Sequence, residues 1–436
     1  MEWWQVLLLM FAVLGVLMAT GIPIAFAFGV LNMVLLFFLV GGTGALQAVA
    51  LSSYGSVATF AFTALPMFLL MGTVVMHSGL AALAINAMGK WLGRIPGRLA
   101  VLSVLSGTIL GGASGSSMAD TAALGMVLIP EMHSRGYSKY LATGCVATCG
   151  ALAVLIPPSA LMVIMGGISR LPVGDLLIGG LVPGLLLSAL MFVYIVILTT
   201  LKPHLAPAYE IGRIGWEERL VSLRHFLPFI VLIVLVLGVM FSGLATPTEA
   251  AAVGAVGAFG LAAMYGRLSM AVVKQSLLST AEVTGMALLI ITSSTAFSQI
   301  LALTGAAPGW SKWVTALPVS PWLILVGMQL VVLVMGCFMD SVSIMLITVP
   351  LFFPVVRTMG FDPAWFAIVT VVNVELGLIT PPFGLNLFVL KGVCPPDITL
   401  GDIYRGILPF ILLNILALAI VMAFPPLATW LPGLMH

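Results

Sequence analysis

Apolar stretches long enough to span a membrane follow one another along almost the whole chain, and short polar turns separate them. About 20 consecutive apolar residues cross the hydrocarbon core of a bilayer as an α-helix, so the pattern predicts a series of membrane helices. The predicted spans cover residues 5–19, 21–40, 50–88, 140–169, 173–200, 227–243, 248–266, 276–305, 363–393 and 404–430. The third span is predicted to break near Ala64-Leu65-Pro66, because proline disrupts a helix. The one long polar segment, 201–226, divides the chain into halves 1–200 and 227–436.

Each half contains a segment with the same order of landmarks. The first segment runs from Gly111 to Gly167 and the second from Met335 to Val393, and a shift of about 224 positions aligns them without a gap. The aligned pairs are Gly112 with Gly336, Ser117 with Ser341, Pro130 with Pro354, Gly136 with Gly360, Leu152 with Leu376, Pro157-Pro158 with Pro381-Pro382, and Leu161 with Leu385. Apolar sequence gives chance matches of leucine and valine, but not of glycine, proline and a proline pair in one register. We therefore infer an internal repeat.

Composition supports a membrane location and excludes several classes of protein. The 436 residues are 61% hydrophobic and 7% charged, with a mean hydropathy of +1.24, whereas soluble domains carry about 25% charged residues. The net charge of +2 predicts no nucleic-acid partner. Cys145 and Cys149 lie one helical turn apart without a nearby histidine or acid, so we interpret them as packing residues. The first residues carry an acid and no basic cluster, which favours a first membrane helix over a cleaved signal peptide.

Basic residues predict how the chain is oriented. They lie on both sides of the segment 99–133, as Lys90, Arg94, Arg98, Arg135 and Lys139. Because basic residues mark cytoplasmic loops, this segment is expected to enter and leave from the cytoplasm as a re-entrant hairpin, with its tip near Gly111–Ala119. The broken helix at 139–169 follows it. Counting onward, the basic loop 201–226 returns to the cytoplasm and carries an interfacial helix.

The same count places the second hairpin, 319–357, and its broken helix, 363–393, in the opposite orientation. This hairpin enters from the outside, where only Lys312 and Arg357 carry positive charge, and the N-terminus also lies outside. Inverted repeats with discontinuous helices are typical of secondary transporters. The predicted fold class is therefore an all-α polytopic membrane protein with two inverted repeats.

The hairpin tips and the proline pairs predict binding sites at membrane depth. Backbone at that depth must face protein or water, because lipid satisfies no hydrogen bonds. Proline pairs interrupt a helix and free backbone carbonyls, which are good ligands for Na⁺. The new half-helix N-terminus favours an anion. Two tips and two broken helices that meet at the midplane would form one central anion site between two cation sites.

Acids near the tips have two interpretations. Asp340 lies at the second tip, aligned with Ser116, and is either a cation ligand or a cap of a hairpin helix. Asp120, four residues after Ser116, has the same two interpretations. Glu375 lies in the second broken helix, where a structural pairing and a functional role are both open.

Other polar features have simpler interpretations. Asn386 follows the second proline pair and could hydrogen-bond a substrate, while His77 is expected to be packed or interfacial. Thr246-Pro247-Thr248-Glu249 predicts a capped helix start. The stretch from Arg213 to Arg224 predicts an amphipathic helix that binds membrane lipid.

The combination of motifs resembles a known family. GGASGSSMADTAALG, IPPS, TPPFG and GLATPTEAAAVG are similar to the large membrane subunit, of DctM type, of tripartite ATP-independent periplasmic (TRAP) transporters. The resemblance implies an ion-transporter-superfamily fold with a scaffold and a mobile transport domain. It implies Na⁺-driven import of an organic acid, such as a dicarboxylate, sialic acid or other sugar or keto acid, by an elevator mechanism across the bacterial inner membrane.

The resemblance also implies partners, and it excludes enzymatic activity and any cofactor besides the coupling ion. The partners are a small four-helix membrane subunit, expected on a separate polypeptide, and a periplasmic binding protein that delivers the substrate. The implied Na⁺ ligands are Ser114, Ser116, Ile156, Pro157 and Ser159 in the first half, and Asp340, Gly377 and Thr380 in the second. The implied substrate residues are Gly115, Ser117, Pro158, Ser341, Pro382, Gly384 and Asn386.

Three alternatives differ in class. A stand-alone Na⁺–dicarboxylate symporter or antiporter would share the architecture but need no binding protein. An intramembrane metalloprotease would need a HExxH motif, which the sequence lacks. A channel would seldom carry two inverted hairpins with broken helices. The motifs do not choose among organic acids.

Overall fold

The computed structural model describes residues 2–93, 95–114, 116–207 and 215–435, and this part of the chain contains helices and turns without a strand. The first half holds α1 (Trp3–Ala19), α2 (Ile24–Leu35), α3 (Gly42–Val57), α4 (Ala64–His77), α5 (Leu80–Trp91), α6 (Arg98–Ser114), α7 (Ser117–Ser134), α8 (Lys139–Leu155), α9 (Ala160–Ser169) and α10 (Val173–Leu201). The second half holds α11 (Trp216–Phe241), α12 (Pro247–Met264), α13 (Met270–Leu303), α14 (Ala306–Thr315), α15 (Pro321–Gly336), α16 (Ser341–Thr358), α17 (Pro363–Leu378), α18 (Leu385–Val393), α19 (Leu400–Ala423) and α20 (Pro426–Gly433).

The described helices include seven that are long and apolar enough to cross a membrane, or up to nine if each bent pair counts as one span. The bent pairs are α4 with α5, at 69°, and α8 with α9, at 49°. Large apolar side chains such as Phe38, Leu244 and Met264 are exposed on the outer surface. Exposure of this kind is stable only against lipid or a partner, so the chain is a polytopic membrane protein.

The predicted third span consists of three helices. A short 3-10 segment, Phe60–Thr63, separates α3 from α4 close to the predicted break. The sharper bend comes later, at Ser78 and Gly79, where Gly79 has a φ of 69° that favours glycine. The prediction missed this bend because Gly79 stands alone in an apolar run.

The stretch predicted as an interfacial helix is continuous with the next predicted span from Trp216 onward. From Trp216 onward, α11 continues without interruption into the membrane span, although Pro228 lies inside it. Proline leaves the carbonyl four residues earlier without its helical donor, and in this helix the Tyr265 hydroxyl donates to that carbonyl, on Arg224. The residue that follows α12 therefore provides a hydrogen bond to this carbonyl. Arg213 lies outside the described residues.

The two repeated units have matching helix bounds. With the shift of about 224 positions, α7 coincides with α16 from start to end, and α8 begins at the position equivalent to the start of α17. The helices α8 and α17 each end shortly before a proline pair. The Pro157-Pro158 and Pro381-Pro382 peptide bonds are cis. The predicted helix breaks thus occur in the structure at equivalent positions.

Small residues let the repeated units pack closely around α8. Residues 141–155 are all buried, and α6, α7 and α19 pack against this helix. Gly144 meets the Gly406 carbonyl so closely that a side chain would not fit. Cys145 and Cys149 are fully buried, and their thiols donate to backbone carbonyls of the preceding turn. This agrees with the packing role predicted for them.

Candidate functional site

The first hairpin tip is built around the start of α7. The Ser116 hydroxyl caps this helix by accepting the Ala119 N–H at 3.5 Å, as expected for serine at an N-cap. Ser117 and Asp120, in the first turn, are 5% and 3% exposed. Gly115 and the side chain of Ser114, both predicted site residues, lie outside the described residues.

The first helix break lies between α8 and α9. Ile156 leaves the helical conformation, and the two prolines carry the chain to Ser159, which caps α9 by accepting the Met162 N–H at 3.3 Å. Ser159 is fully buried. The final carbonyls of a helix have no intrahelical donor, so the end of α8 provides backbone oxygens of the type that bind hard cations. The Na⁺-binding roles of Ile156, Pro157 and Ser159 remain a prediction.

At the second tip, Asp340 is the N-cap of α16. One carboxylate oxygen accepts the N–H groups of Val342 and Ser343, each at 3.1 Å, and the other accepts the Ser343 hydroxyl. The structure therefore contains the cap that sequence reasoning offered as the alternative to a cation ligand. Carboxylate oxygens can accept more than one bond, so the cap leaves acceptor capacity for a cation.

The second break is held against the second tip by glycines. A Cβ placed on Gly336 would lie 2.6 Å from the Gly377 Cα, so α15 and α17 touch backbone to backbone. Gly384, with a φ of 52°, donates its N–H to the Cys337 carbonyl at 3.4 Å. The Thr380 hydroxyl donates to the Leu376 carbonyl at 2.6 Å, which leaves its oxygen able to bind a cation.

Side chains from the two halves meet between the tips. The Asn386 amide of α18 donates to the Ser117 hydroxyl of α7 at 2.6 Å, across 269 residues of sequence. The Ser341 hydroxyl donates to Glu375 at 3.3 Å, and the Glu375 carboxyl also lies beside Ser117. Ser117, Glu375 and Asn386 are each at most 5% exposed. Three of the predicted substrate residues, Ser117, Ser341 and Asn386, thus share one buried polar cluster.

Sequence reasoning left the role of Glu375 open, and the structure places it between the two hairpin tips. The available signal was an acid within an apolar run. Pro382 is exposed, and its carbonyl accepts the Tyr404 hydroxyl. His77 lies apart from the cluster, with a ring nitrogen 2.9 Å from the Thr73 carbonyl.

The donor set of this site suits hard ions. It consists of hydroxyl, carbonyl, amide and carboxylate oxygens, which are ligands for alkali and alkaline-earth cations rather than for soft metals. Across the described residues, no group of three or more His, Cys, Asp or Glu side chains could hold a metal ion.

Comparison with known proteins identifies the family. Residues 11–427 match the family described as "Tripartite ATP-independent periplasmic transporter, DctM component". The chain belongs to this family. It is therefore a multi-pass protein of the bacterial inner membrane and a transporter subunit rather than an enzyme, and the resemblance inferred from the motifs is confirmed.

Relatives of this DctM-family chain differ in the substrates their names give. It is 37% identical, over 89% of its length and 90% of the relative's, to the C4-dicarboxylate TRAP transporter large permease protein DctM of Pseudomonas aeruginosa. It is 28% identical to the sialic acid TRAP transporter large permease protein SiaM of Vibrio cholerae, over 97% of each chain. It is 30% identical to the 2,3-diketo-L-gulonate TRAP transporter large permease protein YiaN of Escherichia coli, over 94% of each.

Two solved structures share the fold. The Neisseria gonorrhoeae protein MtrF superimposes with a TM-score of 0.61 at 14% identity, covering 91% of this chain and 94% of MtrF. The Alcanivorax borkumensis YdaH transporter gives a TM-score of 0.56 at 16% identity, covering 90% of each chain. At these identities the likeness concerns the fold alone.

Proposed function

We propose that this chain is the transport subunit of a Na⁺-driven importer of small organic acids. The observation that carries the proposal is the buried cluster in which Asn386 of one repeated unit bonds to Ser117 of the other. A site assembled from both units can change its accessibility when they move together relative to the rest of the protein, which is what alternating access needs.

Na⁺ would bind as a co-substrate on either side of the cluster. In the first half, Ser114, Ser116 and the chain from Ile156 to Ser159 would provide oxygens. In the second half, Asp340, Gly377 and Thr380 would do so. The substrate would lie between them, against Gly115, Ser117, Pro158, Ser341, Pro382, Gly384 and Asn386. Occupied cation sites would hold the tips against the breaks and so complete the anion site.

The proposed moving part consists of α6–α9 with α15–α18, and the proposed scaffold consists of α1–α5 with α11–α14. In the proposed scaffold, α12 packs on α4, α13 packs on α2 and α3, and α11 packs on α5. In the proposed moving part, α8 packs on α6 and α7, and α18 packs on α7 and α8. Each group therefore has its own packed interior, as an elevator mechanism requires. The repeats are inverted in this proposal, with 99–133 entering from the cytoplasm and 319–357 from the periplasm.

Two partners complete the proposed transporter. A small four-helix membrane subunit would cover exposed apolar surface of the scaffold, such as Leu51, Tyr54 and Phe38. A periplasmic binding protein would deliver the organic acid. The names of relatives suggest a C4-dicarboxylate, a sialic acid or a diketogulonate as candidates.

Reconstitution tests the proposal. The chain is placed in liposomes with its cognate small membrane subunit and binding protein, and uptake of labelled succinate, N-acetylneuraminate and 2,3-diketogulonate is measured. We expect uptake of one acid class only with an inward Na⁺ gradient and the loaded binding protein. Uptake that ignores Na⁺ would refute the coupling. Full uptake by the chain alone would instead support a stand-alone symporter.

A further inference from the structure

A cavity that does not include the buried polar cluster lies at the C-terminal end of α9. Its volume is about 1100 Å³, and it is bounded by the end of α9, the starts of α10 and α12, and the last turns of α13. We call it the outer cavity. None of the described site residues predicted from the sequence lines it. In the proposed orientation it opens to the periplasm, and this inference rests on that part of the proposed function.

Arg170 gives the outer cavity its positive charge. It ends α9 in the left-handed conformation, with a φ of 59°, and its side chain is exposed. Glycine or asparagine usually occupies such a position, because other side chains adopt this conformation at an energetic cost. The ion pairs found within the described part of the chain do not include Arg170. Arg170 thus brings a positive charge to the cavity without an ion-pair partner among the described residues. The end of α9 does not itself require an arginine at this position.

The neighbouring helix ends add to this charge and partly offset it. Val173 begins α10 and Pro247 begins α12, and both helix starts line the outer cavity. Helix N-termini attract anions. Asp175 also lines the cavity, and Glu249 is engaged in the capping box of α12. Arg170 is therefore the cationic side chain that an anion entering the cavity would meet.

Ser294 provides a second observation at the outer cavity. It is 2% exposed, it lines the cavity, and its hydroxyl has no hydrogen-bond partner among the described residues. A buried hydroxyl without a partner is energetically unfavourable. A ligand with hydrogen-bonding groups would remove that penalty. Thr295 and Ser298 on the same helix also line the cavity, and the Thr295 hydroxyl donates to the Ile291 carbonyl at 3.1 Å, which leaves its oxygen able to accept.

The remaining wall is mostly apolar and includes Phe60, Phe62 and Ile291. Sites for small molecules commonly combine an apolar wall with a few polar groups that fix orientation. From Arg170, α9 runs inward to its cap at Ser159, a length of about 15 Å for ten residues. The outer cavity and the first helix break thus lie at opposite ends of α9.

We propose that the outer cavity is a second binding site for a small organic acid, which the acid occupies before it reaches the central cluster. Arg170 contacts the carboxylate of the acid, and the hydroxyls of α13 form hydrogen bonds with the rest of the acid. The proposed ligand class is therefore the same as that of the transporter, but the residues differ from those of the central site.

Charged thiol reagents test the electrostatics independently of transport. A Ser298→Cys substitution in a Cys394→Ser background places one reactive thiol on the cavity wall, because the other native cysteines are buried. The rates of modification by an anionic and a cationic methanethiosulfonate are compared. We expect Arg170→Gln to lower the anionic-to-cationic rate ratio by about threefold or more, as removal of one nearby charge predicts, and Asp175→Asn to raise it. Arg357→Gln is the matched control, since this exposed arginine lies outside the cavity.

Protection and uptake identify the occupant. The transported acid should slow modification of the Ser298→Cys thiol in the reconstituted complex, and Arg170→Gln should abolish that protection and raise the KM for uptake several-fold. Arg170→Lys should restore part of both. An unchanged rate ratio in Arg170→Gln would overturn the inference. It would also be overturned if the small subunit or lipid alone protected the Ser298→Cys thiol and the acid had no effect. If the wild-type complex shows no Na⁺-dependent uptake, the proposed function fails, whereas the rate ratio still reports on the cavity.

Discussion

The contact between Gly336 and Gly377 permits a sharp test of how the second tip is held against the second break. Replacing Gly336 by alanine adds one methyl group at the end of α15, directly opposite the backbone of α17. The added Cβ would lie 2.6 Å from the Gly377 Cα and 3.3 Å from its carbonyl carbon. Both atoms belong to the main chain, so no side-chain rotation can relieve the contact.

The size of the effect follows from this distance. Carbon atoms pack best at about 3.5–4.0 Å, so the two helices would have to separate by roughly 1 Å. Overpacking of this kind destabilises proteins by about 1–3 kcal/mol. Gly327→Ala is the matched control, because Gly327 lies in the same helix and its Cβ would meet nothing within 4 Å. The intrinsic helix preference of alanine, about 1 kcal/mol over glycine, acts in both variants and cancels in the comparison.

Two measurements on the purified protein check this prediction. Unfolding titrations in mixed micelles should show Gly336→Ala to be less stable than Gly327→Ala by about 1–3 kcal/mol. The Na⁺ concentration for half-maximal uptake should rise in Gly336→Ala alone, because Gly377 is a proposed Na⁺ ligand. Equal stability of the two variants would show that α15 and α17 are not in backbone contact, and the reasoning would fail.

Three further predictions concern the tips and the orientation. Asp340→Asn should raise the Na⁺ concentration for half-maximal uptake with little loss of stability, because asparagine caps helices as well as aspartate; an unchanged Na⁺ dependence would leave Asp340 only its cap. Ser117→Ala and Asn386→Ala should each cost about 1–3 kcal/mol by leaving a buried group unpaired, and the double variant should cost less than their sum; additive costs would argue against the bond between them. A cysteine placed in the turn 134–138 should react with a membrane-impermeant reagent from the cytoplasm, and one in the turn 317–321 from the periplasm; labelling of both from one side would contradict inverted repeats.

Much of the architecture could be predicted from the sequence, because it depends on local chemistry. Apolar runs of spanning length require the bilayer as solvent, and the proline pairs interrupt helices wherever they occur. The repeat was visible as a register of glycines and prolines, and the helix bounds follow that register closely. Ser116, within the glycine and serine cluster from which the first tip was predicted, caps α7 in the structure.

The contacts that build the site were decided only by the tertiary structure. Ser117 and Asn386 are 269 residues apart, and no local pattern indicates that their side chains meet. The same limit applies to α11, where the hydroxyl of Tyr265 donates to the Arg224 carbonyl that Pro228 leaves without its helical donor. Hydropathy and helix breakers act within a few turns of the chain, whereas hydrogen bonds and close packing depend on which distant segments face each other. The sequence by itself therefore determined the membrane location, most of the helices and the breaks at the proline pairs, and the three-dimensional packing decided which residues share a site.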